Sequence, residues 1–295
     1  MWWNRKPPSE EAVITSGVMQ DVDPACWCKH RFGLPLARWE RLQGKSFWIV
    51  GAGTGYGRSI SLALAAAGAQ VFLTGRRMGK LQETLNEGAS LGINVQHCVP
   101  LLADITLELD LASATKAIGQ QTSHLYGLVN CAALPQPDVG SNPLADQSAA
   151  DWIKLLTTNV TGQWLTSKTA LPLMEKGSGF RMIFLSSEAG WASTPGFGPY
   201  NVSKSAVNTL GASLAAECAD KFPGKDVQIN VLVPGEARTE MNQSSSDSPY
   251  SLVCMALALL SHPPGGPNGC FFHRDGRHIE FAYARPFHRD LLAPR

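Results

Sequence analysis

The sequence predicts an α/β fold, with a single doubly wound parallel sheet and helices on both faces. Three observations carry that expectation. Short β-branched or apolar runs alternate with helical stretches through residues 44–235, and strict alternation implies parallel strands joined by right-handed crossovers. Hydrophobic residues make up 44% of the 295 and charged residues 17%, which supports a sizeable core and excludes a disordered chain. No internal repeat or low-complexity segment breaks the alternation.

In chain order, residues 1–43 stand apart as an irregular arm. They hold four of the eight tryptophans, Trp2, Trp3, Trp27 and Trp39. Such side chains are expected to tuck against the apolar surface of the body, or to form an oligomer contact or a lid. Cys26, Cys28 and His30 lack a fourth ligand at a standard spacing, so no metal site is expected there. Ser46 to Val50 reads as the first strand and Gly55 to Ala67 as a small-residue helix. Gln70 to Leu73 reads as a strand, and Met78 to Leu91 as a helix with Leu81 and Leu85 on one face. A strand over Asn94 to Val99, a helix over Leu111 to Gln121, and strands over Leu125 to Asn130, Phe180 to Leu185 and Val227 to Val233 follow, with helices between. Ser251 to Leu260 reads as a helix ended by Pro263-Pro264-Gly265-Gly266-Pro267, and Gly269 to Phe272 as the last strand. Residues 44–276 are thus expected to form one domain. Residues 277–295 form a tail whose His278 and His288, taken with His273, fit no standard metal spacing.

Composition narrows the function classes. A formal net charge of +1 leaves no electrostatic footprint for nucleic acid or an anionic membrane. The longest apolar run, Leu252 to Leu260, has nine residues, whereas a bilayer core needs about 20. The start, Met1 to Pro8, shows no secretory pattern. Seven scattered cysteines, an odd number, argue against a disulfide framework. A soluble, cytoplasmic protein is expected.

The first chemistry is a glycine loop, Gly51-Ala52-Gly53-Thr54-Gly55-Tyr56-Gly57, between the first strand and the first helix. Glycine lets the backbone turn tightly and approach a pyrophosphate closely, and the helix N-terminus supplies N–H donors. The second strand runs into Thr74-Gly75-Arg76-Arg77. An acid at that place holds ribose hydroxyls, whereas an arginine pairs with a 2′-phosphate. Two arginines and no acid therefore favour NADP(H) over NAD(H). The second chemistry is Ser187 just past a buried-looking strand, Tyr200 thirteen residues on, and Lys204 four beyond it. On a helix that spacing puts Lys204 one turn from Tyr200. A neighbouring ammonium favours the phenolate, so it lowers the tyrosine pKa from about 10 and makes the hydroxyl a usable proton donor and acceptor.

Together these residues resemble the short-chain dehydrogenase/reductase family, in its compact, non-extended branch. Gly51, Gly55 and Gly57 match that family's Gly-x3-Gly-x-Gly loop, with Val50 where a Thr usually precedes it. Asp104, followed by Ile105, matches the family residue that contacts adenine. Asn130-Cys131-Ala132-Ala133 stands where the family has Asn-Asn-Ala-Gly, a departure at Cys131 and Ala133 that keeps Asn130 and the small residue Ala132. Asn159, Ser187, Tyr200 and Lys204 match the catalytic set. Asn230 to Gly235, ending in Pro234-Gly235, and Thr239 match the segment that closes over the nicotinamide. The resemblance covers about residues 44–240.

The resemblance implies a Rossmann-like sheet and an NADP(H)-dependent enzyme that interconverts a secondary alcohol and a ketone. Tyr200 would pass the proton, Lys204 would hold the ribose hydroxyls and lower the Tyr200 pKa, Ser187 would orient the carbonyl, and Asn159 would anchor a water. The region after Gly235 is short and polar where relatives often carry an apolar lid. Glu188, Trp191, Glu236 and Arg238 are therefore candidate contacts for a small polar substrate. Family members pair through the helices after Asn159 and around Tyr200, so a homodimer or homotetramer is expected. Two other readings remain open: an epimerase or dehydratase acting through a transient ketone, and a non-catalytic NADP(H)-binding sensor or scaffold.

Overall fold

The computed structural model describes residues 31–135, 143–192 and 195–279. Its strands are β1 (Ser46–Val50), β2 (Gln70–Gly75), β3 (Cys98–Leu102), β4 (Gly127–Asn130), β5 (Gly179–Leu185), β6 (Asp226–Val233), β7 (Phe271–His273) and β8 (His278–Ile279). They form one sheet in the order β3-β2-β1-β4-β5-β6-β7-β8. Every pair is parallel except β7 with β8, where Phe271 faces Ile279 in antiparallel register. The parallel doubly wound sheet expected from the alternation is therefore present, with one antiparallel strand added at its edge.

The helices are α1 (Leu36–Glu40), α2 (Gly55–Ala66), α3 (Met78–Ser90), α4 (Glu108–Gln121), α5 (Ala149–Leu156), α6 (Gly162–Met174), α7 (Pro199–Lys221) and α8 (Val253–Leu260). Because side chains alternate along a strand, β1 feeds two cores. Phe47 and Ile49 pack with Ile60, Leu62 and Leu64 of α2, Leu81 of α3 and Leu257 of α8. Trp48 and Val50 pack with Leu111 and Ile118 of α4, Leu165 and Met174 of α6 and Val207 of α7. Helices thus cover both faces, and the central strands read as continuous apolar runs.

Several elements depart from the sequence reading; β4 starts at Gly127 rather than Leu125 and α4 at Glu108 rather than Leu111. The third strand lies over Cys98–Leu102 rather than Asn94 to Val99. The Asn94 side chain accepts from the Gln96 amide and holds a turn there. Pro100 is tolerated because β3 is a sheet edge. The last parallel strand is Phe271–His273, since Gly269 takes a positive φ of 71° and ends the approach to it. The helix read from Ser251 begins as a 3₁₀ turn over Pro249–Leu252 and becomes α-helical at Val253.

Within the segment read as an irregular arm, residues 31–43 are ordered. Phe32, Leu34, Trp39 and Leu42 are buried in the α2–α8 core, and Arg38 of α1 donates to the carbonyls of Ala258 and Ser261. Trp2, Trp3, Trp27, Cys26, Cys28, His30 and His288 lie outside the described residues.

At the end of the sheet remote from the glycine loop, Arg181 of β5 is buried. Its guanidinium pairs with Asp226 of β6 at 2.5 Å and donates to the carbonyls of Phe180, Asp226 and His262. This cluster ties β5, β6 and the C-terminus of α8 together.

Candidate active site

Strand order sets the site. β1 is flanked by β2 on one side and β4 on the other, so the chain direction reverses there and leaves a crevice at the carboxyl ends. The ends are level, with Val50 opposite both Thr74 and Asn130. The glycine loop crosses this crevice. Gly51 (φ 83°) lies against Ala132, whose amide would sit 2.7 Å from an added Cβ. At Gly57 such a carbon would be 2.2 Å from the Gly51 carbonyl oxygen. Only glycine keeps this turn closed. Arg58 clamps it further by donating to the Gly53 carbonyl and pairing with Glu83 and Glu87.

The result is a cleft of about 370 Å³. Gly51, Gly53, Thr54, Gly55, Tyr56, Gly57, Arg76, Arg77, Asp104, Ile105, Ala132 and Thr239, all predicted to bind a cofactor, line it. Thr54 at the N-cap of α2 makes no side-chain bond to the first turn. The Gly55, Tyr56 and Gly57 N–H groups thus have no side-chain cap at the cleft wall, which suits a pyrophosphate. Arg76 and Arg77, at the β2 end of the cleft, suit a further phosphate. The cradle fits a dinucleotide.

Other predicted cofactor residues sit behind that wall. Asn130 is fully buried and donates to Ser167 at 3.1 Å, which ties β4 to α6. Pro234 and Gly235 close β6, and the Gly235 carbonyl accepts from the Tyr56 hydroxyl at 2.8 Å. The glycine loop and the segment after β6 are thereby joined across the cleft. Sequence reasoning missed Lys80, Thr158, Glu240 and Met241, which also line it. Lys80 was legible, lying one turn beyond Arg76 on α3. Glu240 was not, because its partner Arg77 is 163 residues away.

The proton-transfer residues converge at the mouth of β5 and the start of α7. Gly198 (φ 49°) turns the chain and Pro199 opens the helix, so Tyr200 lies in the first turn. The Ser187 side chain lies close enough to the Tyr200 hydroxyl to favour its charged form. Ser187 caps the short turn Glu188–Gly190, accepting from the Ala189 amide at 3.2 Å. Lys204 is buried, with Nζ donating to the Leu185 carbonyl at 2.9 Å and lying 5.5 Å from the Tyr200 ring centroid. Asn159 lies in a π-helical turn (Thr157–Thr161) between α5 and α6, a device that often marks functional positions. It accepts from the Leu134 amide and donates to the Leu134 carbonyl and to Ser203, the residue before Lys204.

The electrostatics differ from the expectation of a lowered tyrosine pKa. Burial pushes Tyr200 up to about 12. Ser187 opposes that rise and the Glu188 carboxylate adds to it. Burial also brings Lys204 down to about 8, with Cys131 acting in the opposite direction. The lysine head is drawn toward the Leu185 carbonyl, so desolvation outweighs its effect on the phenol.

A second cavity, of about 620 Å³, begins one residue beyond Ser187. Glu188 and Trp191 line it with Val233, His273, Arg277 and His278. His273 lies 3.3 Å from Glu188 and 2.9 Å from Asp275. Glu236 and Arg238 are exposed and absent from its wall. The backbone carbonyl of Glu236 accepts from Arg274, and the Arg238 amide donates to the Asp247 carbonyl. No cluster of three or more metal-ligating side chains occurs among the described residues.

Comparison with known proteins agrees with this geometry. The family model described as short chain dehydrogenase matches residues 45–249. The chain is 30% identical over 227 residues to 2-(S)-hydroxypropyl-CoM dehydrogenase 3 of Xanthobacter autotrophicus, covering 76% of this chain and 84% of that one. It is 31% identical over 237 residues to dehydrogenase/reductase SDR family member 4 of Pongo abelii, covering 80% and 81%. Among solved structures, a short chain dehydrogenase from Pseudomonas syringae superposes with a TM-score of 0.72 at 25% identity, covering 80% and 96%. One from Shigella flexneri, complexed with NADP, gives 0.71 at 21% identity, covering 80% and 99%. The sheet order, the glycine cradle, the Ser187–Tyr200–Lys204 group and these matches make the chain a member of the short-chain dehydrogenase/reductase family, and an oxidoreductase of that kind.

Proposed function

We propose that this protein interconverts a secondary alcohol and a ketone on a small polar substrate, using NADP(H), with Tyr200 as proton donor and acceptor. The observation that carries the reading is the convergence of Ser187, Tyr200 and a buried Lys204, whose Nζ lies 5.5 Å from the Tyr200 ring centroid, beside a cleft that fits a dinucleotide. When bound, the nicotinamide supplies or accepts the hydride. The protein does the rest. Ser187 and Tyr200 orient the substrate oxygen, Tyr200 gives it or takes from it a proton, and Lys204 places positive charge behind the phenol. Arg76 and Arg77 would hold a 2′-phosphate, and Asp104 and Ile105 would hold the adenosine. The NADP-complexed Shigella flexneri structure supports the fold's capacity for this cofactor. The neighbouring cavity offers the polar groups of Glu188, His273 and Arg277 to a substrate, beside an apolar wall of Trp191, Val233 and Ile279. The test is titration with NADPH and NADH, then a screen of small polar ketones read by the near-ultraviolet absorbance of the reduced cofactor. Turnover with no net change in that absorbance would point instead to epimerisation or elimination.

The pH dependence follows from the two shifted groups. With Tyr200 near 12, its hydroxyl stays protonated across neutral pH, so ketone reduction is expected to be flat between about pH 6 and 8. Alcohol oxidation needs the phenolate, so its kcat/KM is expected to rise over that range. It is then expected to flatten above about 8, where Lys204 loses its charge. Equal profiles in both directions would exclude Tyr200 as the shared proton carrier.

The proposal includes a homodimer or homotetramer. Trp164 on α6 and Val202 on α7 are large apolar side chains left exposed in the single chain, which suits an interface. Light scattering is expected to give at least twice the mass of one chain, and Trp164→Glu to shift it toward one. A monomeric wild type would overturn this part. No helix among the described residues is long and apolar enough to cross a membrane. The free thiols of Cys98, Cys131, Cys218 and Cys254 support a reducing, cytoplasmic location.

A further inference from the structure

Three cations stand at the β2 end of the cleft, on the turn after that strand and the start of α3: Arg76, Arg77 and Lys80. Each is already engaged by a carboxylate. Arg76 lies 3.8 Å from Asp104. Lys80 lies 2.8 Å from Glu83. Glu240, from the segment after β6 on the opposite rim, pairs with Arg77 at 2.6 Å and with Lys80 at 3.5 Å. Arg77, Lys80 and Glu240 all line the cleft. Glu240 therefore spans it and places two oxygens on the donors that a cofactor phosphate would use.

We propose that Glu240 is a specificity-setting residue, an internal carboxylate that competes with a 2′-phosphate for Arg77 and Lys80 and so limits phosphate-dependent affinity. The inference rests on the NADP(H) reading above and deepens it. Guanidinium binds carboxylate and phosphate with the same bidentate geometry, so one set of donors cannot serve both fully. The Arg77 and Glu240 side chains are 59% and 45% exposed. An exposed pair contributes little and exchanges readily, which suits a displaceable contact rather than a structural one. A phosphate near a double negative charge displaces a single carboxylate, while the adenosine and pyrophosphate contacts are untouched. Glu240 thus acts on discrimination between two cofactors, not on binding in general. Its carboxyl is held below the ordinary range by the bond from Arg77 and then by Lys80, so it carries its charge at neutral pH.

Calorimetric titration of the full chain with 2′,5′-ADP and 5′-AMP, which differ only in the 2′-phosphate, tests this without turnover. Glu240→Gln is expected to tighten 2′,5′-ADP about three- to five-fold and to leave 5′-AMP unchanged, with the gain shrinking in about 0.5 M salt. In the double variant Glu240→Gln/Arg77→Ala the gain should vanish. A wild type that prefers 2′,5′-ADP, with the same preference in Glu240→Gln, would overturn the inference and leave the cofactor reading standing. Equal tightening of both nucleotides would also overturn it. If neither protein distinguishes the two nucleotides, the NADP(H) reading falls and takes the inference with it. A preference that appears only in Glu240→Gln would support both.

Discussion

Tyr200→Phe is expected to lower turnover by about 10²- to 10⁴-fold while NADPH binding stays within about two-fold of wild type. The substitution removes one oxygen. The ring remains at the first turn of α7, and Lys204, which bonds the Leu185 carbonyl rather than the phenol, has no reason to move. Ser187 still caps its turn through the Ala189 amide. What disappears is the group that exchanges a proton with the substrate oxygen. Steady-state rates in both directions, beside calorimetric titration with NADPH, separate the two effects. Activity above about a tenth of wild type would remove Tyr200 as proton donor.

The second large effect concerns stability. Asp226→Ala leaves the Arg181 guanidinium buried without its carboxylate, and breaking a buried pair in this way costs about 3–5 kcal/mol. At about 2–4 °C per kcal/mol for a domain of this size, Tm is expected to fall by roughly 6–20 °C. Asp226→Asn keeps an acceptor and should cost less. The Asp226 side chain is 20% exposed, so partial hydration places the loss toward the lower end. The pair is also acid-sensitive. Burial raises the Asp226 carboxyl, but Gln228, Arg181 and the Gly265 amide outweigh that and hold it below its ordinary value. A group depressed in the folded state stabilises above its unfolded pKa and loses that contribution as pH falls through the folded one. Wild-type Tm should therefore drop below about pH 4, and Asp226→Asn should lack that component. A pH-independent difference between the two would show that the charge is not what matters.

The parts of this molecule legible in its sequence are those whose signals are local. Val50, Gly51 and Gly55 announce a strand, a turn and a helix within a few residues, and β1 and α2 stand where they were expected. Tyr200 and Lys204 announce a shared helix face, and they share α7. The errors fall where a side-chain bond, a strand register or burial decides rather than residue pattern. Asn94 to Val99 looked extended, but a side-chain turn at Asn94 competes with sheet pairing and wins. Ile279 looked like part of a tail, yet Phe271 holds it by a register no local pattern encodes. The Tyr200 pKa was misjudged because spacing reveals a neighbouring charge but not the burial around it, and burial dominates. Glu240 passed unnoticed because its meaning depends on Arg77, a residue from the other half of the chain.

The antiparallel β8 has a further consequence for how copies of this chain can meet. A strand that ends a sheet offers a row of free backbone donors and acceptors, and identical chains can pair along such rows. Here β8 occupies the open side of β7 among the described residues. At the other border, Pro100 interrupts the donors of β3. Pro100 on one rim and β8 on the other blunt the two edges among the described residues, which favours self-association by side-chain packing between helices over strand-to-strand growth.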